Sequence, residues 1–499
     1  MTIETDPTQK IAWIPEFIYA GNRCQSNRAL VCNAAGTIVR IVEPGELNDE
    51  KRINLPRRAL LPGMVNAHSH AFQRVLRGRT EYGGSGQRDS FWTWRDKIYA
   101  AATRLSPEDI YDASCMTFLE MALTGITAVG EFHYLHHAPD GSAYEDPNLL
   151  AREVIRAAGD IGLRIALLRV AYARSGFQRP ANPSQARFIE ADADVYLKNV
   201  EELNQSIRSA NIREGLANQT SARTRDLAVP YGRAAATAWA GVAPHSVRAV
   251  PLNYLKQVID YANERDLRIH MHVAEQPAEV SACVEEYGRT PVALLQTEGF
   301  LSERFTAVHA IHVTPKAIAS FAQTGAAVCA CPTTERNLGD GVVPADEYLK
   351  HGVTLCLGTD SHAQIDLLED ARELEYHLRL QRLERAVLDD QSQDTSLNSQ
   401  RLAARLFESA TVNGARSIGA PTGALEADTP ADFFTVDLDD PSIAGASPGD
   451  LLASIVFAAS RSAVREVVVG GKPIVSESRH LNQEEIVERF NTLQKKLWG

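Results

Sequence analysis

Four places in the chain put metal-competent side chains at the end of an apolar run. His68-Ser69-His70 closes ALLPGMVNAH (59–68), and His270 and His272 lie in LRIHMHVAE (267–275). His309 lies in FTAVHAIHV (305–313), and GVTLCLGTD (352–360) ends at Asp360, followed by Ser361 and His362. Side chains two apart on a strand share a face, so His68 and His70 aim into one space. A lone His-x-His is most simply a pair of core or surface histidines. Four such groups ending separate runs point instead to a shared metal centre. Three imidazoles and a carboxylate suit a borderline divalent ion, zinc first, with iron(II) and manganese(II) as alternatives. Such an ion lowers the pKa of its water to about 7, which is hydrolytic chemistry at neutral pH. Glu275, three residues past His272, is placed to move protons. The competing structural role for Glu275 is an acid at a helix start.

Those side chains meet only if the fold gathers the ends of their strands. Eight candidate strands are legible: 59–68, 125–132, 163–172, 238–245, 267–275, 305–313, 325–332 and 352–360. Between them run segments such as PEDIYDASCMTFLEMALT and DPNLLAREVIRAAGDIG, with apolar residues three and four apart. Strands apolar on both faces suit a covered parallel sheet. Eight strand–helix units predict a (β/α)8 barrel, whose active sites form at the C-terminal strand ends. An open doubly wound sheet is the alternative. Both chain ends read as short strands and turns. They predict a small β-sandwich-like domain, 1–58 with 425–480, beside a catalytic barrel over 59–424 and a C-terminal helix within 481–499. The polar stretch 203–236 follows the third strand. Its ends can extend helices, but its middle reads as a long loop at the catalytic mouth, able to act as a lid. Its arginines, Arg208, Arg213, Arg223, Arg225 and Arg233, are most simply solvated.

A net charge of −12 argues against nucleic acid or an anionic membrane as the main partner. It also means that an anionic substrate needs local arginines. The seven cysteines are scattered, mostly inside apolar runs, and read as reduced core thiols; Cys329 and Cys331 lack the CxxC spacing. No apolar run approaches the roughly 20 residues that span a bilayer. MTIETDPTQK lacks the hydrophobic segment of a secretory signal, so a cytoplasmic location is expected.

LPGMVNAHSH, HVAEQ, VHA and GTDSH, in that order, resemble the amidohydrolase superfamily. Without an obvious carboxylated bridging lysine, the chain resembles the mononuclear deaminase branch. HAFQR, DSFWTWRDKIY, GEFHYLHH, HSVRAV, HVAEQPAEV, ERNLGDGVVPADEYL and GTDSH are similar to the formimidoylglutamate deiminases of histidine degradation. The resemblance implies one divalent metal ion held by His68, His70, His272 and Asp360. It implies His309 as the catalytic histidine, with Glu275 and Asp360 as proton-carrying carboxylates. Gln73, Arg95, Tyr134, His245 and Arg248 match substrate-binding positions. The implied reaction is hydrolytic deimination of N-formimino-L-glutamate to N-formyl-L-glutamate and ammonia, and a homodimer is implied as well. Arginines suit such a diacid, since they form charge-assisted, often bidentate hydrogen bonds to carboxylates. A second reading is a related deaminase or chlorohydrolase acting on a purine, pyrimidine or triazine ring, which would want stacking aromatics and fewer arginines. A third is a non-catalytic scaffold of the same fold, which would lack the ligands. Arg336, in CPTTERNLGDG, has no assigned place.

Overall fold

The computed structural model describes residues 9–81, 91–179, 182–220, 237–389 and 400–499. Eight parallel strands form the expected barrel: β1 Met64–Ser69, β2 Ile126–His133, β3 Arg164–Ala171, β4 Ala238–Pro244, β5 Ile269–Val273, β6 Phe305–His309, β7 Ala327–Ala330 and β8 Leu355–Leu357. They pair in chain order from β1 to β8. A parallel bridge between Ser69 and Asp360 closes the ring. There the Asp360 amide donates to the His68 carbonyl (3.0 Å) and the His70 amide donates to the Asp360 carbonyl (3.1 Å). The seam thus joins two segments that carry candidate ligands. Every residue of β2 and β3 is buried, which is why these strands read as unbroken apolar runs.

The expected strand 59–68 is in fact two. Strand Lys51–Pro62 belongs to a second sheet, pairing parallel with Ile11–Ala20 and antiparallel with Phe433–Asp437. One residue, Gly63, then carries the chain into β1. A Cβ on Gly63 would stand 2.2 Å from Thr127 Oγ1, so the crossing has no room for a side chain. Hydropathy is continuous across this crossing and hides it. Among the described residues the second sheet has nine strands drawn from both chain ends, eight in one hydrogen-bonded path and the ninth, Arg23–Ser26, pairing only with Ile11–Ala20. It is tied to the barrel by a buried pair: Arg164 donates to Asp432 (2.6 and 3.2 Å), which also accepts the Gly470 amide (2.6 Å).

Helix Pro107–Leu123 starts at a reciprocal cap, with Ser106 and Asp109 bonding each other's backbone and Pro107 at the first turn. The terminal helix Gln483–Trp498 lies against it through Lys496–Asp109 (2.5 Å) and Arg489–Asp112 (2.7 Å). A short helix, Val412–Ile418, lies across the base of the barrel, where Trp239 donates to the Ile418 carbonyl (2.7 Å) and Asn413 to that of Leu355 (3.0 Å).

The stretch after β3 extends a helix at its first end, as expected, but not toward the mouth. Residues 172–179 and 182–192 leave the mouth, and Ala193–Thr220 is one helix, burying Tyr196, Val200, Leu203 and Ile207 at spacings of three and four. Asn211 donates to the Ala238 carbonyl (2.7 Å) at the start of β4, the end of the barrel opposite the mouth. The part of 203–236 seen here therefore runs away from the mouth, and a lid role for it is not supported. Arg208 is on its exposed side. The side chain of Arg213, and Arg223, Arg225 and Arg233, lie outside the described residues.

Candidate metal centre and active site

At the C-terminal rim, His68, His70, His272 and Asp360 each offer one ligand atom, all within 4.8 Å of one another, and all four are buried. The Nε2 atoms of His68 and His70 are 3.2 Å apart, and Asp360 Oδ1 stands 3.3 and 3.1 Å from them. Hydrogen bonding fixes two tautomers. His70 Nδ1–H donates to the Phe132 carbonyl (3.0 Å) and His272 Nδ1–H to the His245 carbonyl (3.2 Å). Each ring therefore turns a bare Nε2 lone pair to the cluster. Burial drives His272 well below its ordinary pKa, with nearby His245, His68 and His70 adding, and pushes His68 down to about 3. Neutral imidazoles facing a buried carboxylate lack positive charge. A divalent cation satisfies every one of these acceptors, so the residues present fit a metal.

The ligands have firm support. Phe132 packs its ring against His68, His70 and His272, at 5.0, 5.3 and 4.5 Å between centroids. Ser69, between the first two ligands, donates to Glu131 Oε2 (2.5 Å), and Glu131 Oε1 accepts the Ala71 amide (2.8 Å). His362 lies behind the cluster, bridging Ser69 Oγ (3.2 Å) and Thr359 Oγ1 (3.1 Å).

His309, fully buried at the end of β6, stacks on His272 at 5.5 Å and 17°. Its Nδ1 bonds Glu335 Oε1 (3.3 Å), while Nε2 faces Glu275 Oε1 (3.5 Å) and Asp360 Oδ2 (3.8 Å). Burial alone would lower its pKa, but Glu275, the bond to Glu335 and Asp360 together push it up to about 10. Burial raises Glu275 to about 7, with His309 pulling the other way. A bound dication opposes both upward shifts. His309 and Asp360 hold left-handed backbone, φ +69° and +43°. Such strain in residues other than glycine gathers at functional sites.

The substrate side brings together the other expected residues. Gln73 Nε2 donates to the Tyr134 hydroxyl (2.8 Å), and the Tyr134 ring is 5.1 Å from His70. The His245 ring packs between Tyr172 (4.6 Å) and His272 (4.9 Å). Arg95 and Arg248 both line a cavity of about 260 Å³, with Phe177 and Glu279 among its other walls. Arg95 lies over the Tyr99 ring at 5.5 Å. Arg174 donates to the Arg248 carbonyl (3.0 Å) and steadies that loop.

Two sequence candidates lie elsewhere. His270, at the same spacing as the first histidine pair, sits one layer deeper in the barrel and donates to the Ser417 carbonyl (3.1 Å). Arg336 is a surface residue paired with Glu373 (2.6 Å). Glu335 was not singled out from sequence, though it stands in the first turn of helix Pro332–Leu338 just beyond β7. Tyr99 and Tyr172 were also missed; their hydroxyls both accept from Gln185 (2.7 Å each). A carboxylate or phenol inside a mixed segment carries no periodic signal.

A closed parallel barrel with imidazoles and a carboxylate converging at its C-terminal rim marks a metal-dependent hydrolase, and its family and relatives place it among those acting on C–N bonds. The chain belongs to the amidohydrolase family, whose model matches residues 59–474. It is 37% identical to the formimidoylglutamate deiminase of Pseudomonas aeruginosa over 435 residues, 87% of this chain and 88% of that protein. A 5-methylthioadenosine/S-adenosylhomocysteine deaminase of Haloarcula marismortui is 26% identical over 90% of this chain and 88% of its own length. The crystal structure of an amidohydrolase from Brucella melitensis superposes with a TM-score of 0.83 at 30% identity, covering 98% of this chain and all (100%) of that one. Among the described residues no helix is long and apolar enough to cross a membrane.

Proposed function

We propose that the chain hydrolyses N-formimino-L-glutamate to N-formyl-L-glutamate and ammonia. The observation that carries this reading is the pair Arg95 and Arg248 lining one cavity in a chain with a net charge of −12. Two guanidiniums in a cavity suit a substrate with two carboxylates. The 37% identical deiminase supports the same choice.

In this reading His68, His70, His272 and Asp360 hold one divalent ion, zinc before iron(II) or manganese(II), because imidazole and carboxylate donors suit it. When bound, the ion supplies Lewis acidity and brings the pKa of water in its reach to about 7. Arg95 and Arg248 anchor the carboxylates, and Gln73 and Tyr134 orient the chain between them and the formimino group. Glu275 accepts a proton from the attacking water and delivers it to the departing nitrogen. His309, held by Glu335, donates toward the charge that develops at the attacked carbon's substituent nitrogen. Water adds to the C=N carbon, the C–N bond to the terminal nitrogen breaks, and ammonia leaves. We carry a homodimer and a cytoplasmic location as parts of the same reading.

A second reading, an amino-purine deaminase, has an observation of its own: Phe177 lines the cavity and the rings of Tyr134 and Tyr172 pack against His70 and His245, and a 26% identical relative is a 5-methylthioadenosine/S-adenosylhomocysteine deaminase. Ammonia release from N-formimino-L-glutamate and from 5′-methylthioadenosine, measured side by side, separates the two. The deiminase reading requires turnover of the first, with kcat/KM lowered about tenfold or more in both Arg95→Met and Arg248→Met, the scale of a lost charged hydrogen bond. Unchanged kcat/KM in both variants would overturn it.

A further inference from the structure

We propose that the barrel mouth contains a second, inhibitory site for a thiophilic divalent cation, built by His309, Cys331 and the outer oxygen of Asp360. Each of the three offers one ligand atom, these atoms lie within 4.8 Å of one another, and all three residues are buried. The carboxylate of Asp360 is turned to serve two ions. Its Oδ1 faces His68 and His70 (3.3 and 3.1 Å), whereas Oδ2 faces His309 Nε2 (3.8 Å). Shared carboxylates of this kind let two ions stand about 3.5–4 Å apart in two-metal centres. His309 commits Nδ1 to Glu335, which leaves its Nε2 buried with no hydrogen-bond partner and aimed into the gap. Glu275 Oε1, 3.5 Å from that nitrogen, is at hand as a fourth donor.

Cys331 sets the selectivity. It stands just past β7, at the start of helix Pro332–Leu338, and is fully buried. Sulfur favours zinc and cadmium over magnesium, calcium or manganese. The four-residue cluster has no sulfur, so the two sites differ in preference. On binding, the Cys331 thiol and the His309 Nε2–H each give their proton to solvent, and the sulfur and the freed Nε2 lone pair bond the ion. The cation then occupies His309 Nε2 and crowds Glu275, the groups that the proposed reaction needs for proton transfer, so excess soft metal stops turnover. Only that inhibitory consequence rests on the proposed function; occupancy of the site does not.

The test begins with protein carrying one equivalent of manganese by elemental analysis. Cadmium is then titrated, with calorimetry, thiolate-to-metal charge-transfer absorbance and ammonia release followed in parallel. Wild type should take up cadmium with a thiolate band and lose turnover by about a hundredfold or more, the lower range for removing a general acid–base group. Dialysis against a mild chelator should restore turnover. Cys331→Ser, with Cys331→Ala as a second variant, should keep the basal rate, lose the band and resist inhibition. The absence of a band in wild type, or equal cadmium sensitivity in both variants and wild type, would overturn the site. A band and uptake with unchanged turnover would overturn its inhibitory role while leaving the metal site standing, which separates failure of this inference from failure of the assigned reaction.

Discussion

Removing the metal is the perturbation with the clearest numerical consequence. The cluster gathers Nε2 atoms 3.2 Å apart and a carboxylate oxygen at 3.1–3.3 Å, with two of the rings held as bare acceptors by their carbonyl bonds. The ion binds the folded arrangement, since the unfolded chain has no such cluster. At 100 to 1,000 times Kd this linkage is worth about 2.7–4.1 kcal/mol. Unfolding entropy of about 2.1 cal/mol/K per residue, over 499 residues, gives about 1 kcal/mol/K. The expected loss of Tm on chelation is therefore only about 3–4 °C, while activity should vanish. Differential scanning fluorimetry of holo and chelator-treated protein, with elemental analysis and ammonia release, makes the comparison. His272→Ala should show neither the shift nor the activity. Full turnover by protein shown to be metal-free would refute the reasoning, and so would a chelator shift of the same size in His272→Ala.

Three further outcomes are expected. Tyr134→Phe leaves the Gln73 amide without its 2.8 Å partner, and kcat/KM should fall about tenfold with Tm nearly unchanged. Asp432→Ala removes the buried carboxylate that holds the Arg164 guanidinium and should cost about 3–5 kcal/mol, whereas the double change Arg164→Met/Asp432→Leu should recover most of it; denaturant unfolding reads both. Gly63→Ala forces a Cβ to 2.2 Å from Thr127 Oγ1 and should destabilise by about 1–3 kcal/mol, measured in the same way.

Much of this was legible in the residues, for identifiable reasons. Strands covered on both faces show as apolar runs, so all eight barrel strands could be found. The histidine spacing located the rim because polar groups at strand ends interrupt those runs. What failed did so where hydropathy is blind. The run through 59–68 spans two sheets because the junction at Gly63 changes direction without changing polarity. His270 and His272 look equivalent in sequence, yet successive inward residues occupy successive layers, and only the upper one reaches the rim. Within 203–236 the first end extends a helix as its pattern allows, with Leu203 and Ile207 as a narrow buried stripe on a polar segment, while residues 221–236 lie outside the described residues. Glu335 and the tyrosines Tyr99 and Tyr172 act through contacts made between distant segments, which no local pattern encodes.

The ring closes where the first and eighth strands meet, and Asn66 and Thr359, bonded across that seam, stand 293 residues apart in the chain. His68 and His70 come from one side of it and Asp360 from the other. A ribosome must therefore deliver nearly three quarters of the polypeptide before the ion has a home. Metal uptake is then a late event that follows closure of the cylinder, and a chain cut short before Asp360 should emerge without it.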